Sequence, residues 1–288
     1  MKEKILDKLA VFLLKESFTI KRLTRTCFDA LARKGHTILL IKILEDANSI
    51  TQGYAEEMKK IASYVSGSPI MLSVKAGNKL DDNVVYSRFG VYTLNFNTFK
   101  NSVHNKLPFI KRSQAGLTAC LKSKKLKEKR EQLGISLNSL SKKMGVSARM
   151  VSRYEDHDSE VTLNKAFKLY DIFGRDVFNK VDIFRPDMEL GIDNKSDLTR
   201  HYSELGFDAA QTRKAPFDII AKREKEIILT EVGDKRRPDM SSISKLIDAD
   251  NLVIFDKKKP KDIPAITKKE FMDFEKAREL IKFLKEFS

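Results

Sequence analysis

The sequence predicts an α+β multidomain protein in which two α/β domains, each a mixed sheet flanked by helices, stand on either side of a central all-α domain of five helices. Two observations carry that assignment. Residues 18–43 (FTIKRLTRTCFDALARKGHTILLIKI) and 207–232 (FDAAQTRKAPFDIIAKREKEIILTEV) align without a gap, pairing Phe18 with Phe207, Phe28-Asp29 with Phe217-Asp218, Ala32 with Ala221, Ile38 with Ile227 and Leu40 with Leu229. Between them, over residues 121–184, strand signals give way to apolar residues at helical spacing. A chain of 288 residues is also too long for one ordinary core.

Each repeat copy reads as helix, three strands, helix and further strands. A helix precedes the aligned segment in both, over residues 3–16 and over Ser196–Leu205, where Gly206 marks its end. FDALAR and HTILLIKI, like FDIIAK and EIILTEV, form strand pairs joined by a tight turn. Helices follow at ITQGYAEEMKKIASYV and MSSISKLIDA, and then the strands SPIMLSV and VYTLN in the first copy and NLVIF and PAIT in the second. KKEFMDFEKARELIKFLKEF is expected to close the second copy as one helix. The expected boundaries are 1–107 for the first copy, 108–120 for a connector hairpin turning around Ser113 to Gly116, and 121–184 for the helical domain. A linker at 185–195 (RPDMELGIDNK) has the Pro, Gly and Asp of a loop, and the second copy occupies 196–288.

In the central segment, Lys124–Leu133 makes a first helix that Gly134 stops. Ser136 caps a second, LNSLSKKM, and Ser147 caps a third, ARMVSRYE, by accepting otherwise free backbone N–H groups. Gly145 permits the sharp turn between them. Thr162 is expected to cap a fourth helix, LNKAFKLYDIF, ended by Gly174, and DVFNKV to form a short fifth. Leu140, Met144, Val146, Val151 and Tyr154 fall on the inner faces, and small Ser141 sits where the second and third helices cross.

Composition narrows the partners. Hydrophobic residues at 41% support sizeable cores, so disorder is excluded as the general state, and 55 Lys and Arg against 40 Asp and Glu give a net charge of +15 that suits a polyanion. The excess is concentrated centrally, with ten Lys and Arg against four Asp and Glu over residues 121–156. The runs Lys235-Arg236-Arg237 and Lys257-Lys258-Lys259 lie beside turns and read as solvated loops. Cys27 and Cys120 stand far apart without CxxC spacing among four histidines, which suggests neither zinc nor a disulfide framework and fits a reducing cytoplasm. The opening MKEKILDKLAVFLLKESF is broken by Lys8 and Lys15 and reads as an amphipathic helix, not a signal peptide. No stretch approaches the roughly 18 apolar residues of a membrane span.

The strand order of each copy, with an aspartate on one central strand and a polar residue late on the next, resembles the PD-(D/E)xK restriction-endonuclease-like fold. That family uses carboxylates to hold a metal and a lysine to position or activate water. Asp29 and Lys42 match its first acid and its lysine, while Leu40 stands where the second acid belongs. In the second copy Asp218 remains, Leu229 replaces the acid and Glu231 the lysine. Both copies are therefore read as non-catalytic, with Asp29 and Lys42 as vestiges and no metal or cofactor; only a relocated acid such as Glu45 would rebuild the first site. The alternative role for both aspartates is a strand-end residue accepting backbone hydrogen bonds.

The central segment resembles the lambda repressor/Cro-like, or Xre-type, helix-turn-helix (HTH) family. The resemblance implies that the third helix enters the major groove and presents Ser147, Ala148, Arg149, Ser152 and Arg153. Arg149 and Arg153 would then bond guanine, Ser152 a base or phosphate, and Ala148 a thymine methyl. Lys142 and Lys143 are candidates for the backbone phosphates, with Lys122, Lys124 and Lys125 before them, and Ser136 is a further DNA-binding candidate. The whole order resembles a family of predicted archaeal HTH-type transcriptional regulators. The expected function is a sequence-specific regulator of double-stranded DNA, cytoplasmic, homodimeric and not an enzyme, with the transcription machinery as a further candidate partner. The competing readings are a metal-dependent nuclease targeted by the HTH and an architectural scaffold that binds DNA without sequence preference.

Overall fold

The computed structural model describes residues 2–113, 116–185, 195–235 and 237–286, so Gln114 and Ala115 at the expected hairpin tip, residues 186–194 of the expected linker, and Arg236 lie outside the described residues. The chain forms two compact units, one of residues 1–71, 89–91 and 184–288 and the other of residues 72–88 and 92–183.

The first copy opens with α1 (Lys2–Lys15), whose Leu6, Leu9 and Leu13 recur at helical spacing and are buried. Strands β1 (Thr19–Arg22), β2 (Ala30–Lys34) and β3 (Thr37–Asp46) pair antiparallel in that order. The apolar run of β3 is buried almost continuously from Ile38 to Ile43, as expected of a strand covered on both faces. Helix α2 (Gln52–Tyr64) starts at Thr51, whose hydroxyl accepts the Tyr54 N–H. After it come β4 (Ser68–Ala76), β5 (Asn78–Lys79), β6 (Val84–Arg88), β7 (Val91–Leu94) and α3 (Phe96–Val103), the last capped by Asn95.

The second unit carries the hairpin β8 (Ile110–Ser113) and β9 (Gly116–Cys120). This unit also takes in residues 72–88 of the first copy. Val84 and Val85 of β6 pair in parallel with Ile110 and Lys111, and those ladder bonds tie residues 84–88 to the hairpin. Helices α4 (Ser123–Gln132), α5 (Leu137–Met144), α6 (Ala148–Asp156) and α7 (Leu163–Phe173) follow. Strand β10 (Glu160–Thr162), absent from the sequence reading, pairs with β9 and sets Val161 opposite Ala119, so the hairpin contributes to the helical core. Thr162 begins α7 without the expected side-chain cap because it is itself a ladder residue opposite Thr118. The expected fifth helix is a 3-10 turn, Arg175–Val177. Beyond it the Asn179 and Val181 N–H groups donate to the carbonyls of Cys120 and Pro108, which takes the backbone away from helical bonding.

The second copy repeats the first. Helix α8 (Asp197–Glu204) starts in a capping box formed by Ser196 and Thr199. Strands β11 (Asp208–Gln211), β12 (Ile219–Arg223) and β13 (Glu226–Val232) pair in the same register as β1 to β3: Thr19 faces Arg33 as Asp208 faces Lys222, and Leu31 faces Leu40 as Ile220 faces Leu229. Helix α9 (Met240–Ile247) leads to β14 (Asp250–Phe255), parallel to β13, and β15 (Ala265–Thr267), parallel to β14. The closing segment is two helices, α10 (Lys268–Met272) and α11 (Ala277–Lys285), and not one. Phe271 and Ala277 belong to one core, yet on an unbroken helix six residues would rotate them about 120° apart.

The two copies pack together within the first unit, with α9 against β1 and β2 and α2 against β12. The contacts are reciprocal. Arg33 meets Asp248 at 2.5 Å, and its counterpart Lys222 donates to Ser66 Oγ at 3.0 Å; Asp248 and Ser66 both follow the corresponding helix with positive φ. Glu57 accepts the Arg213 N–H at 2.9 Å, and Asp239 pairs with Lys21 at 2.9 Å.

In the second unit, Arg130 of α4 grips Glu155 of α6 through Nε to Oε1 (2.5 Å) and Nη2 to Oε2 (2.9 Å), both residues being buried. Removing Glu155 leaves the buried Arg130 guanidinium with only the exposed Glu131 carboxylate, 3.3 Å from Nη2, as counter-charge. Glu155→Ala is expected to lower stability by about 3–5 kcal/mol, read as a reduced midpoint in chemical denaturation of the full chain.

Candidate nucleic-acid interface

The turn between α5 and α6 is fixed by backbone chemistry. Gly145 adopts the left-handed conformation (φ 71°, ψ 43°), which allows both its own N–H and that of Val146 to return to the Ser141 carbonyl, at 2.9 and 3.0 Å. Ser136 begins α5 by accepting the Ser139 N–H, and Ser147 begins α6 by accepting the Met150 N–H, both at 3.1 Å. Leu140, Met144, Val151 and Tyr154 are buried and Val146 packs partly buried against them, with Ser141 buried at the crossing.

This packing turns the other face of α6 outward. Arg149 and Arg153 are exposed one helical turn apart, and among the described residues neither guanidinium is held by a hydrogen bond or ion pair. Ala148 and Ser152 are half-buried beside them, and Ser152 Oγ lies 3.5 Å from Asp156 Oδ2. Lys142 and Lys143 are exposed at the end of α5. Lys125 is engaged by Glu128 at 2.8 Å, and that hydrogen bond raises its pKa. Met150, 37% exposed beside Arg149, went unnoticed in the sequence because its helical position alone does not distinguish core from rim.

The nuclease-like positions present a different chemistry. Asp29 is buried at the head of β2, where Oδ2 accepts the Ile43 N–H at 2.8 Å. Its Oδ1 receives Lys2 Nζ at 2.7 Å and Lys42 Nζ at 3.2 Å. The participation of Lys2, from the start of α1, has no signal in sequence spacing. Leu40 is fully buried, and Glu45 is exposed and on the face of β3 opposite Lys42 by strand alternation. The donor set does not fit a divalent ion: one carboxylate faces two ammonium groups, and among the described residues no three His, Cys, Asp or Glu side chains converge. Burial, with the Glu57 carboxylate second, pushes the neighbouring Cys27 thiol up to about 12, so it stays protonated.

The second copy reproduces this arrangement with other residues. Asp218 accepts the Val232 N–H at 2.9 Å and the Arg237 guanidinium at 2.5 Å, while Glu231 accepts the Arg237 N–H at 2.8 Å. Arg237 is therefore not part of a solvated basic loop. In the other expected loop, Lys257, Lys258 and Lys259 are exposed, and the backbone N–H groups of Lys257 and Lys258 donate to the equally exposed Asp234 carboxylate.

Asp29→Ala is expected to cost about 3 kcal/mol by stranding the buried Lys42. Asp218→Ala is expected to cost less, because its partner Arg237 keeps 35% of its side chain exposed. Thermal denaturation of the two variants side by side checks the order.

Comparison with known proteins agrees with this geometry. A PD-(D/E)XK superfamily domain model matches residues 2–108, and a helix-turn-helix model matches residues 126–177. Three archaeal relatives carry the name "Putative HTH-type transcriptional regulatory protein". The one from Archaeoglobus fulgidus is 30% identical over 99% of this chain and 98% of its own length. That from Methanocaldococcus jannaschii is 28% identical over 99% and 97%, and that from Methanosarcina acetivorans 30% over 90% and 88%. No solved structure matches. With its endonuclease-like sheet, its helix-turn-helix and similarity that runs nearly end to end, the chain belongs to the family of archaeal HTH-type transcriptional regulatory proteins.

Proposed function

We propose that the protein is a transcriptional regulator that reads double-stranded DNA in the major groove with α6, as a cytoplasmic homodimer on two half-sites. The observation that carries this reading is the pair Arg149 and Arg153, unheld and aligned on a helix whose opposite face is anchored by the Arg130–Glu155 pair. A guanidinium in that position offers two parallel donors to guanine O6 and N7. Ser147 Oγ is committed to capping and Ser136 likewise, so they orient helix N-termini toward phosphate, where backbone N–H groups can contribute. Lys142 and Lys143 contact phosphate without reading sequence, Ser152 bonds base or phosphate, and Ala148 meets a thymine methyl. Two half-sites about one helical turn apart supply the affinity that one small reading head lacks.

The endonuclease-like copies serve as a non-catalytic scaffold. Supporting this is the covering of Asp29 by Lys2 and Lys42 and of Asp218 by Arg237, which leaves neither carboxylate free for a metal. The transcription machinery is the remaining partner in this reading.

Selection of genomic fragments by the native protein should recover a recurrent palindromic site, and the Arg149→Ala, Arg153→Ala double variant should lose it, each arginine being worth about 1–3 kcal/mol of discrimination. Broad binding untouched by those substitutions would instead indicate an architectural protein. Lys142→Ala and Lys143→Ala should weaken all sequences alike and each reduce the salt slope by about 1. No cleavage of supercoiled or linear DNA is expected with magnesium or manganese; cleavage that Asp29→Asn abolishes would contradict the scaffold assignment.

A further inference from the structure

At the joint between the two repeat copies lies an open surface cleft of about 500 Å³, a volume within the range of small-ligand sites. Its walls come from both copies: Ser17, Thr19, Arg33 and Lys34 from the first, Ser242 and Lys245 from α9 of the second. Three side chains on these walls are cationic and none is a carboxylate. Arg33 is consumed in holding the joint, its Nε donating to the Gly35 carbonyl at 3.0 Å, Nη1 to the Leu246 carbonyl at 2.9 Å, and Nη2 meeting Asp248 at 2.5 Å. Lys34 and Lys245 have no such partner among the described residues. Lys34 Nζ is steadied over the Phe18 ring, 5.7 Å from its centroid, and Lys245 follows Ser242 by one turn on the same face of α9.

From this geometry we infer that the cleft is a binding site for a small phosphorylated metabolite, a phosphate chain lying between the Lys34 and Lys245 ammonium groups with the Thr19 and Ser17 hydroxyls beside it. Lys34 and Lys245 are exposed charges of one sign lining the same cleft, and a polyanion placed there is attracted by both. The reciprocal joint is not equivalent. Ser63, which donates to the Lys60 carbonyl, stands there in place of Lys245, and the fully buried Tyr64 in place of Leu246. The site is also separate from the endonuclease-like position, since Asp29 immediately precedes β2 and Lys34 ends it, about 16 Å apart at the rise of a strand. Because its walls belong to two copies, the ligand bridges them and favours the joined arrangement over any opened one. This makes it an effector site for the regulator, located in the unit that does not contain α6.

Isothermal titration of the full chain with ATP, and separately with inorganic tripolyphosphate, tests the site. Saturable binding of either at one site per chain is expected, weakening as ionic strength rises and falling at least about tenfold in the Lys34→Ala, Lys245→Ala double variant. Tighter binding of ATP would show that the nucleoside contributes; equal binding would show that the phosphate chain is the recognised group. Arg149→Ala, Arg153→Ala should bind both probes as the native protein does. Absence of binding by both probes, or binding unchanged in the lysine variant, overturns the assignment. The lysine variant should still select DNA in the absence of either probe, so failure of this site is separable from failure of DNA recognition.

Discussion

In both repeat copies an aspartate at the head of the second strand accepts a backbone N–H from the third strand fourteen residues later, while a cation covers its other oxygen. This carboxylate bridge holds the end of the central strand pair where ladder bonding stops. In the first copy it also draws in α1, since Lys2 reaches Asp29 from the helix start while Leu6, Leu9 and Leu13 bury the same helix against the sheet. An acid of this kind has a structural reason to persist without metal chemistry. The neighbouring positions show the same priority: Leu40 and Leu229 fill the core where a second acid would stand.

The second copy then acts as an internal partner for the first. Identical strand registers give both copies the same edge and the same helix, and the reciprocal contacts of Arg33 with Asp248 and Lys222 with Ser66 place each helix beside the other copy's strands. Asymmetry enters through side chains on a common backbone. Leu246 and Lys245 at one joint, against Tyr64 and Ser63 at the other, leave a basic cleft on one side. Divergence within a duplicated fold can thus create a ligand site without any change in topology.

The helical unit depends on a smaller set of constraints. Gly145 sets the α5–α6 angle, Ser147 starts α6, and the Arg130–Glu155 pair fixes which face of α6 turns inward. Once Glu155, Tyr154 and Val151 are committed to the interior, 3.6-residue periodicity leaves Arg149 and Arg153 outside. The β9–β10 pairing adds a sheet edge to the helical core, so the hairpin before the helices is part of the same packed body.

Local chemistry determined much of this from sequence alone. The gapless repeat fixed the equivalence of Asp29 and Asp218, because strand register follows apolar alternation and the two patterns coincide. Gly145, Ser136 and Ser147 marked their turn and caps because those functions act within three or four residues. The features that escaped were long-range. Lys2 and Arg237 reach the aspartates from segments whose spacing carries no pattern; β10 exists only because β9 is beside it; the closing helix breaks because Phe271 and Ala277 share a core that one helix face cannot serve. Tertiary packing alone brought Arg33, Lys34 and Lys245 to one cleft, since residues more than 200 positions apart meet only where the two copies pack against each other.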